Sequence, residues 1–295
     1  MTVTAGAGSV LIGSTLKGAT SSALPSAVNP LQKVKLGKSG ITTTLLGMGT
    51  GFNGFNRSSA ITRAGTAETV IRSAYDKGIR FFDCADAYGT HPYVAKALHS
   101  VPREEYTIGT KIWFSRGGIP EPERPDADKV VDRFRRELNT DYLDLVQIHL
   151  MTDANWTVEL KKQMDILENL KVKGIIKAHG VSVHSLPAMR AAEASPWVDV
   201  IHVRVNPYGA SMDSRDPDDV VPVIRRIHDS GKGVIGMKLI GNGSYRDDPD
   251  KINQALKFVL GQKIVDMIIV GFEHPAQIDD YTARMETTLN ELRLT

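Results

Sequence analysis

One cysteine, Cys84, occurs in 295 residues, so this chain cannot staple itself with a disulfide. No apolar run approaches the roughly 18 residues that a membrane-spanning helix needs. Neither sign of charge dominates: 36 Lys and Arg stand against 34 Asp and Glu, a formal net charge of +2. The basic excess that would favour nucleic acid or an anionic membrane surface as partner is therefore missing. Metal-ligand spacing is also scarce. His179 and His184 lie five apart on a strand and face opposite sides, and the other histidines are scattered, so no metal site is expected. What is present is an ordinary globular mixture, 41% hydrophobic and 24% charged, which can fill a substantial core and excludes disorder as a description of the whole.

Residues 1–30 are of another kind. They are built almost entirely of Gly, Ala, Ser, Thr, Val, Leu and Pro, with Lys17 the only charged side chain. Such a stretch has few large side chains to offset the entropy of ordering and reads as a flexible tail. A second reading is the later part of an export signal, with Ala5 to Leu16 mildly apolar and Ser22 to Ala27 a small-residue cleavage region. The basic segment that should precede these is missing. The location is accordingly expected to be cytoplasmic, or periplasmic if the tail belongs to a longer signal.

From residue 31 to 295 the chain alternates strand and helix signals. Eight apolar or β-branched runs stand out: Thr42–Gly49, Ile79–Asp83, Tyr106–Ile112, Leu143–His149, Ile175–Val183, Val198–Val205, Gly233–Leu239 and Val265–Val270. Segments with apolar spacing near 3.6 lie between them, such as Leu160, Met164, Leu167 and Lys171, or Ile278, Tyr281, Met285, Leu289 and Leu292. Strand and helix in alternation imply parallel strands joined by right-handed crossovers. Runs such as Met267–Val270 are apolar throughout and suit strands buried on both faces. Eight units of this size predict an α/β fold, a single (β/α)8 TIM barrel, with Lys33–Ile41 as a short N-terminal β-hairpin ahead of it. One pattern needs dismissing. Gly49-Thr50-Gly51-Phe52-Asn53-Gly54 follows a strand and satisfies G-x-G-x-x-G, but a polar loop follows where a dinucleotide fold would open a helix.

In such a barrel chemistry sits at the C-terminal ends of the strands. Asp83, Tyr88, Lys111 and His149 end or follow three consecutive strands and can converge there. Their types form a coherent set. A lysine beside a tyrosine is expected to lower its pKa and make Tyr88 a usable general acid or base. Asp83 would keep Lys111 charged and in position. His149 would orient a carbonyl oxygen while charge develops there. The set suits protonation of that oxygen as hydride reaches the carbon.

Phe82-Asp83-Cys84-Ala85-Asp86-Ala87-Tyr88-Gly89, Thr110-Lys111 and Gln147-Ile148-His149 together resemble the aldo-keto reductase family, as does the opening Leu46-Gly47-Met48-Gly49-Thr50. The resemblance covers about residues 33 to 290. It implies a (β/α)8 barrel, a small-molecule aldehyde or ketone as substrate, and reduction by a nicotinamide, usually NADPH, with Tyr88 as acid. Cofactor contacts are implied at Thr50, Ser182, His202, Lys238, Gly271, Glu273 and Gln277. Several of these depart from the family pattern. Val183 stands where an asparagine often follows the serine, and His202 replaces a glutamine. No aromatic ends the seventh strand, so Met237 would have to support the nicotinamide. Glu273 lies where a basic residue usually meets the 2′-phosphate, and a carboxylate there favours a free ribose hydroxyl, which raises NADH as an alternative. The site is expected to be open, or completed by Trp113–Arg124 and Met151–Trp156. Two other readings remain open at this point: a non-catalytic nicotinamide-binding regulatory barrel, and a Schiff-base lyase acting through Lys111 or Lys238.

Overall fold

The computed structural model describes residues 1–4 and 29–294, so the tail and export-signal readings over residues 5–28 lie outside the described residues. Ten strands occur in it: β1 Lys33–Lys35, β2 Thr42–Thr44, β3 Leu46–Gly49, β4 Phe81–Asp83, β5 Thr107–Ile112, β6 Leu143–Met151, β7 Ile176–Val183, β8 Val200–Arg204, β9 Gly233–Met237 and β10 Met267–Gly271. Strands β3 to β10 pair in parallel and close on themselves, with β10 between β9 and β3. Helices follow the barrel strands, which makes the architecture a (β/α)8 barrel. Several helices start where the sequence supplies both cap and first residue. Ser185, Asp216 and Asp248 accept from backbone N–H groups of the first turn, and a proline stands at the helix start each time.

The run Thr42–Gly49 proves to be two strands. Thr42–Thr44 pairs antiparallel with Lys33–Lys35, and after a break at Leu45 the segment Leu46–Gly49 opens the barrel. Uniformly apolar and β-branched residues hide the break, because neither half needs a different composition. The hairpin therefore reaches past Ile41. Its turn carries Leu36 and Ile41 into the barrel floor, where they pack with Phe81, Leu145, Val200, Ile235 and Met267. The helix Lys161–Val172 buries Met164, Leu167 and Leu170, whereas Lys171 turns aside to pair with Asp199 at 2.6 Å. Pro30 already belongs to the fold, since it is buried and accepts from the Leu46 N–H at 3.0 Å. Among the described residues no helix is long and apolar enough to cross a membrane.

Period-two alternation decides which residues reach the barrel interior. Phe81 packs in the inner floor and Phe82 in the outer core under the helices, so Asp83 returns to the interior one layer above Phe81. By the same alternation Leu145 leads up to Gln147 and His149, Val200 to His202, and Ile235 to Met237. The barrel thus has an apolar floor and a polar upper layer.

Candidate active site

Asp83 and Lys111 meet in that upper layer. Lys111 Nζ donates to Asp83 Oδ1 at 2.5 Å and to the Cys84 carbonyl at 3.0 Å, and both side chains are almost fully buried. Burial alone would push the Asp83 carboxyl up, but the Lys111 charge and His202 beside it hold the carboxyl at about 2. His202 is fully buried with Nε2 3.1 Å from Asp83 Oδ1, in contact but not aligned as a hydrogen bond. Burial lowers its pKa against the pull of Asp83.

Tyr88 ends a single 3-10 turn, Asp86–Tyr88, that follows β4. Its hydroxyl lies 3.4 Å from His149 Nε2, and Lys111 Nζ is 5.3 Å from the centre of its ring. The ring packs against Gly51 and Gly54, where an added Cβ would come within 2.2 Å and 2.4 Å of it. The glycine pattern after β3 therefore has a use. It forms a wall without side chains against which the tyrosine can lie. The Tyr88 shift runs opposite to the expected lowering. Burial, and then the Asp83 carboxylate, push the phenol well above its ordinary value. At 2.5 Å from Asp83 the ammonium is largely cancelled as seen from the ring, so Tyr88 rests as a protonated phenol.

His149 is buried, and burial, followed by the Lys111 charge, drives its pKa well below the usual histidine value, so the ring is neutral. It stands beside an irregularity in β6, where the register with β7 shifts between Ile148 and Met151 and Leu150 adopts a left-handed φ of 61°. Bulges of this kind re-aim side chains near sites. Trp113 packs edge-on against His149, with ring centres 5.0 Å apart, so the segment after β5 does border the site. Trp156 does not: it is buried in the outer core beside Trp197.

A cleft runs from Asp83 and Tyr88 past Met237 and Lys238 to Gly271, Glu273 and Gln277. Four of the expected cofactor residues thus share one groove with the tyrosine. Lys238 has a left-handed φ of 61° and donates to Asn242 Oδ1 at 2.5 Å. Burial, together with the charges of Arg204 and Lys111, lowers it to about 8. Gln277 has its carbonyl oxygen occupied by the Glu273 and His274 N–H groups, at 2.7 Å and 3.1 Å, where it caps the last helix. Ser182 is buried with an unpartnered hydroxyl, and Gln147 beside it keeps an unpartnered Oε1 while its amide donates to the Val181 and Val200 carbonyls. Thr50 stands behind the site. Its hydroxyl donates to the Asp83 carbonyl at 2.8 Å and meets Thr90 Oγ1 at 2.8 Å, so it fastens β3 to β4.

Arg246 and Arg204 border the site without having been singled out by the sequence. Arg246 lines the same cleft as Glu273 from the loop after β9 and lies 3.6 Å from Asp247. Arg284 is taken up by Asp280 and Asn253, both at 2.8 Å, and does not line the cleft. Arg204, inward on β8, donates to the buried Asp213 and to the His184 carbonyl at 2.7 Å, closing the mouth on that side. Loop arginines carry no periodic signal, which is why Arg246 could not be placed from the sequence. Among the described residues no three metal-ligating side chains come together.

The similarities to known proteins agree with this geometry. Residues 46–255 match the model of the aldo/keto reductase family. A Glycine max protein named "Probable aldo-keto reductase 1" is 29% identical over 224 residues, 73% of this chain and 61% of that protein. The methylglyoxal reductase DkgB of Salmonella typhi is 30% identical over 146 residues, 47% of this chain and 51% of that one. The matches thus span between half and three fifths of those relatives' own lengths. Among solved structures, an aldo-keto reductase of Bacillus halodurans superposes with a TM-score of 0.66 at 18% identity, covering 88% of this chain and 96% of that one. A glycerol dehydrogenase of Gluconobacter oxydans does so at 0.64 and 18% identity, covering 89% and 95%. At such identities the structures speak for the fold, and the family model for the lineage: this chain belongs to the aldo/keto reductase family.

Proposed function

We propose that this protein reduces an aldehyde or ketone to an alcohol with a nicotinamide dinucleotide, NADPH in preference to NADH, and with Tyr88 as general acid. The observation that carries the reading is the Tyr88 hydroxyl, 3.4 Å from His149 Nε2 and beside the buried Asp83–Lys111 pair. The residues present fit the cofactor. Ser182 Oγ and Gln147 Oε1 are buried polar atoms lacking a partner, and a carboxamide is one group that would satisfy them. Gly271 leaves the cleft wall open, while Lys238 and Arg246 offer cations to phosphate groups. When bound, the nicotinamide supplies hydride to the carbonyl carbon. Tyr88 gives its hydroxyl proton to the oxygen, and His149 orients that oxygen through Nε2. Lys111, anchored by Asp83, faces the Tyr88 ring while negative charge passes through it.

Titration of the purified protein with NADPH and NADH, followed by nicotinamide fluorescence, tests the reading. NADPH is expected to bind more tightly, and Arg246→Ser is expected to narrow the difference. Equal or tighter binding of NADH would assign Glu273 to a free ribose hydroxyl and remove the preference for NADPH. Absence of binding by both would abandon the reductase reading in favour of an amine-based one. Lys238 would then be the amine to trap with borohydride, since its lowered pKa suits addition to carbonyls.

Lys238 also predicts a pH dependence. It is charged below about 8 and neutral above, and a bound phosphate favours the charged form. Cofactor binding at higher pH therefore requires proton uptake. The Kd is expected to be level near pH 7 and to rise up to about tenfold per pH unit above 8. Lys238→Met should weaken binding at pH 7 and flatten the profile. A wild-type profile that is flat to pH 9.5 would remove Lys238 from the phosphate contact.

A further inference from the structure

Between β3 and the first helical turn, residues 55–58 form a two-residue hairpin. The Phe55 N–H donates to the Ser58 carbonyl at 2.8 Å and the Ser58 N–H returns to Phe55 at 3.1 Å. Its central residues, Asn56 and Arg57, are both left-handed, with φ of 53° and 54°. A turn of this geometry favours asparagine first and glycine second. Asn56 suits its place. Arg57 occupies the position that glycine would fill without strain, so the backbone gives no reason for this side chain.

The guanidinium supplies one. Arg57 Nε donates to Asp86 Oδ1 at 3.0 Å, and Nη1 donates to Glu121 Oε1 at 2.6 Å. Asp86 is only 2% exposed and opens the 3-10 turn that delivers Tyr88. Its second oxygen is held by Arg133 Nη2 at 2.7 Å. Glu121 belongs to the segment after β5 whose Trp113 packs on His149. The Asn56 N–H donates to the Gly118 carbonyl of that same segment at 2.9 Å. Gly89, next after Tyr88, lies so close to this hairpin that a Cβ would stand 2.0 Å from the Arg57 carbonyl oxygen. One residue therefore touches the turn before Tyr88, the glycine after it and the loop that backs His149.

We propose that Arg57 is a positioning residue for the reaction: it clamps the Tyr88 turn to the loop carrying Trp113 and so sets the distance between the Tyr88 hydroxyl and His149. This rests on the reading of Tyr88 as the acid. The guanidinium offsets the strained backbone at Arg57, since separate nitrogens of its fork reach carboxylates on two different loops.

Arg57→Gly tests it. Glycine is the residue the turn favours, and Arg133 still satisfies Asp86, so the fold should hold. The melting temperature is expected to stay within a few degrees, and the Kd for NADPH within about twofold. The kcat for a carbonyl substrate should fall roughly 10- to 100-fold, the scale of an ångström-sized misplacement. Guanidinium ion at concentrations far below denaturing should restore part of kcat, where sodium chloride at equal ionic strength should not. Arg57→Lys should lie between wild type and Arg57→Gly. Unchanged kcat in Arg57→Gly, with active wild type, would overturn the inference alone. A parallel fall of kcat, cofactor affinity and melting temperature without guanidinium rescue would reduce Arg57 to a structural prop. Wild-type protein inactive on every carbonyl offered would overturn the reductase reading and this inference with it.

Discussion

Tyr88→Phe is expected to bind NADPH as wild type does and to lose carbonyl turnover by about 10²- to 10⁴-fold, the usual worth of a positioned acid. The substitution removes one oxygen and leaves the ring. Packing against Gly51 and Gly54 is kept, and with it the local fold. The lost hydroxyl has His149 Nε2 as its close partner, 3.4 Å away, so no buried donor is stranded by a broken strong bond. Because burial holds the phenol well above its ordinary pKa, the proton is expected to stay on Tyr88 through the neutral range. The wild-type rate for reduction should then show no loss of activity below pH 9 that belongs to Tyr88. Turnover near wild type in Tyr88→Phe would end its role as acid. Loss of cofactor binding or of the fold would show the ring, rather than the hydroxyl, to be what matters.

Much of this site could be read beforehand because strand periodicity is a strong constraint. Once Phe81–Asp83, Thr107–Ile112 and Leu143–His149 are strands of one barrel, alternation and the strand ends bring Asp83, Lys111 and His149 to the same mouth. What escaped depends on loops or on distances. Arg57 and Arg246 sit in irregular segments, where a side chain's direction follows from turn geometry and not from a period. The break at Leu45 escaped because both of its flanks are good strand. Tyr88 shifts the other way for a different reason: residue types place an ammonium near a phenol, but only the tertiary structure buries that phenol and sets the Asp83 carboxylate, 2.5 Å from Lys111, against it. The glycines after β3 match a dinucleotide loop in pattern only. Their close approach to Tyr88 is a tertiary fact that no local pattern contains.

The Lys111–Asp83 contact gives the largest effect on stability. Lys111→Met keeps a side chain of similar length but leaves Asp83 buried, with the His202 ring 3.1 Å away and, among the described residues, no cation in direct contact to replace the ammonium. Removing one member of a buried pair costs about 3–5 kcal/mol, or roughly 6–20 °C in melting temperature for a domain of this size. The sign with pH separates charge from packing. In the wild type the Asp83 carboxyl is depressed to about 2 from an ordinary 3.8, so its contribution is present above pH 4 and disappears only as pH falls toward 2. In Lys111→Met the buried carboxylate loses its main partner, and either Asp83 or His202 must take up a proton on folding. A proton gained on folding makes the variant relatively more stable in acid. The gap between variant and wild type is therefore expected to be widest near pH 7 and to shrink toward pH 4.5, as measured by urea unfolding at both. Asp83→Leu combined with Lys111→Met should recover most of the stability at pH 7 without recovering turnover, since no charge is then left unpaired. A gap that stays constant with pH would place the loss in the packing of the Lys111 stem, and the buried ion pair would cease to be what holds the upper layer of the barrel together.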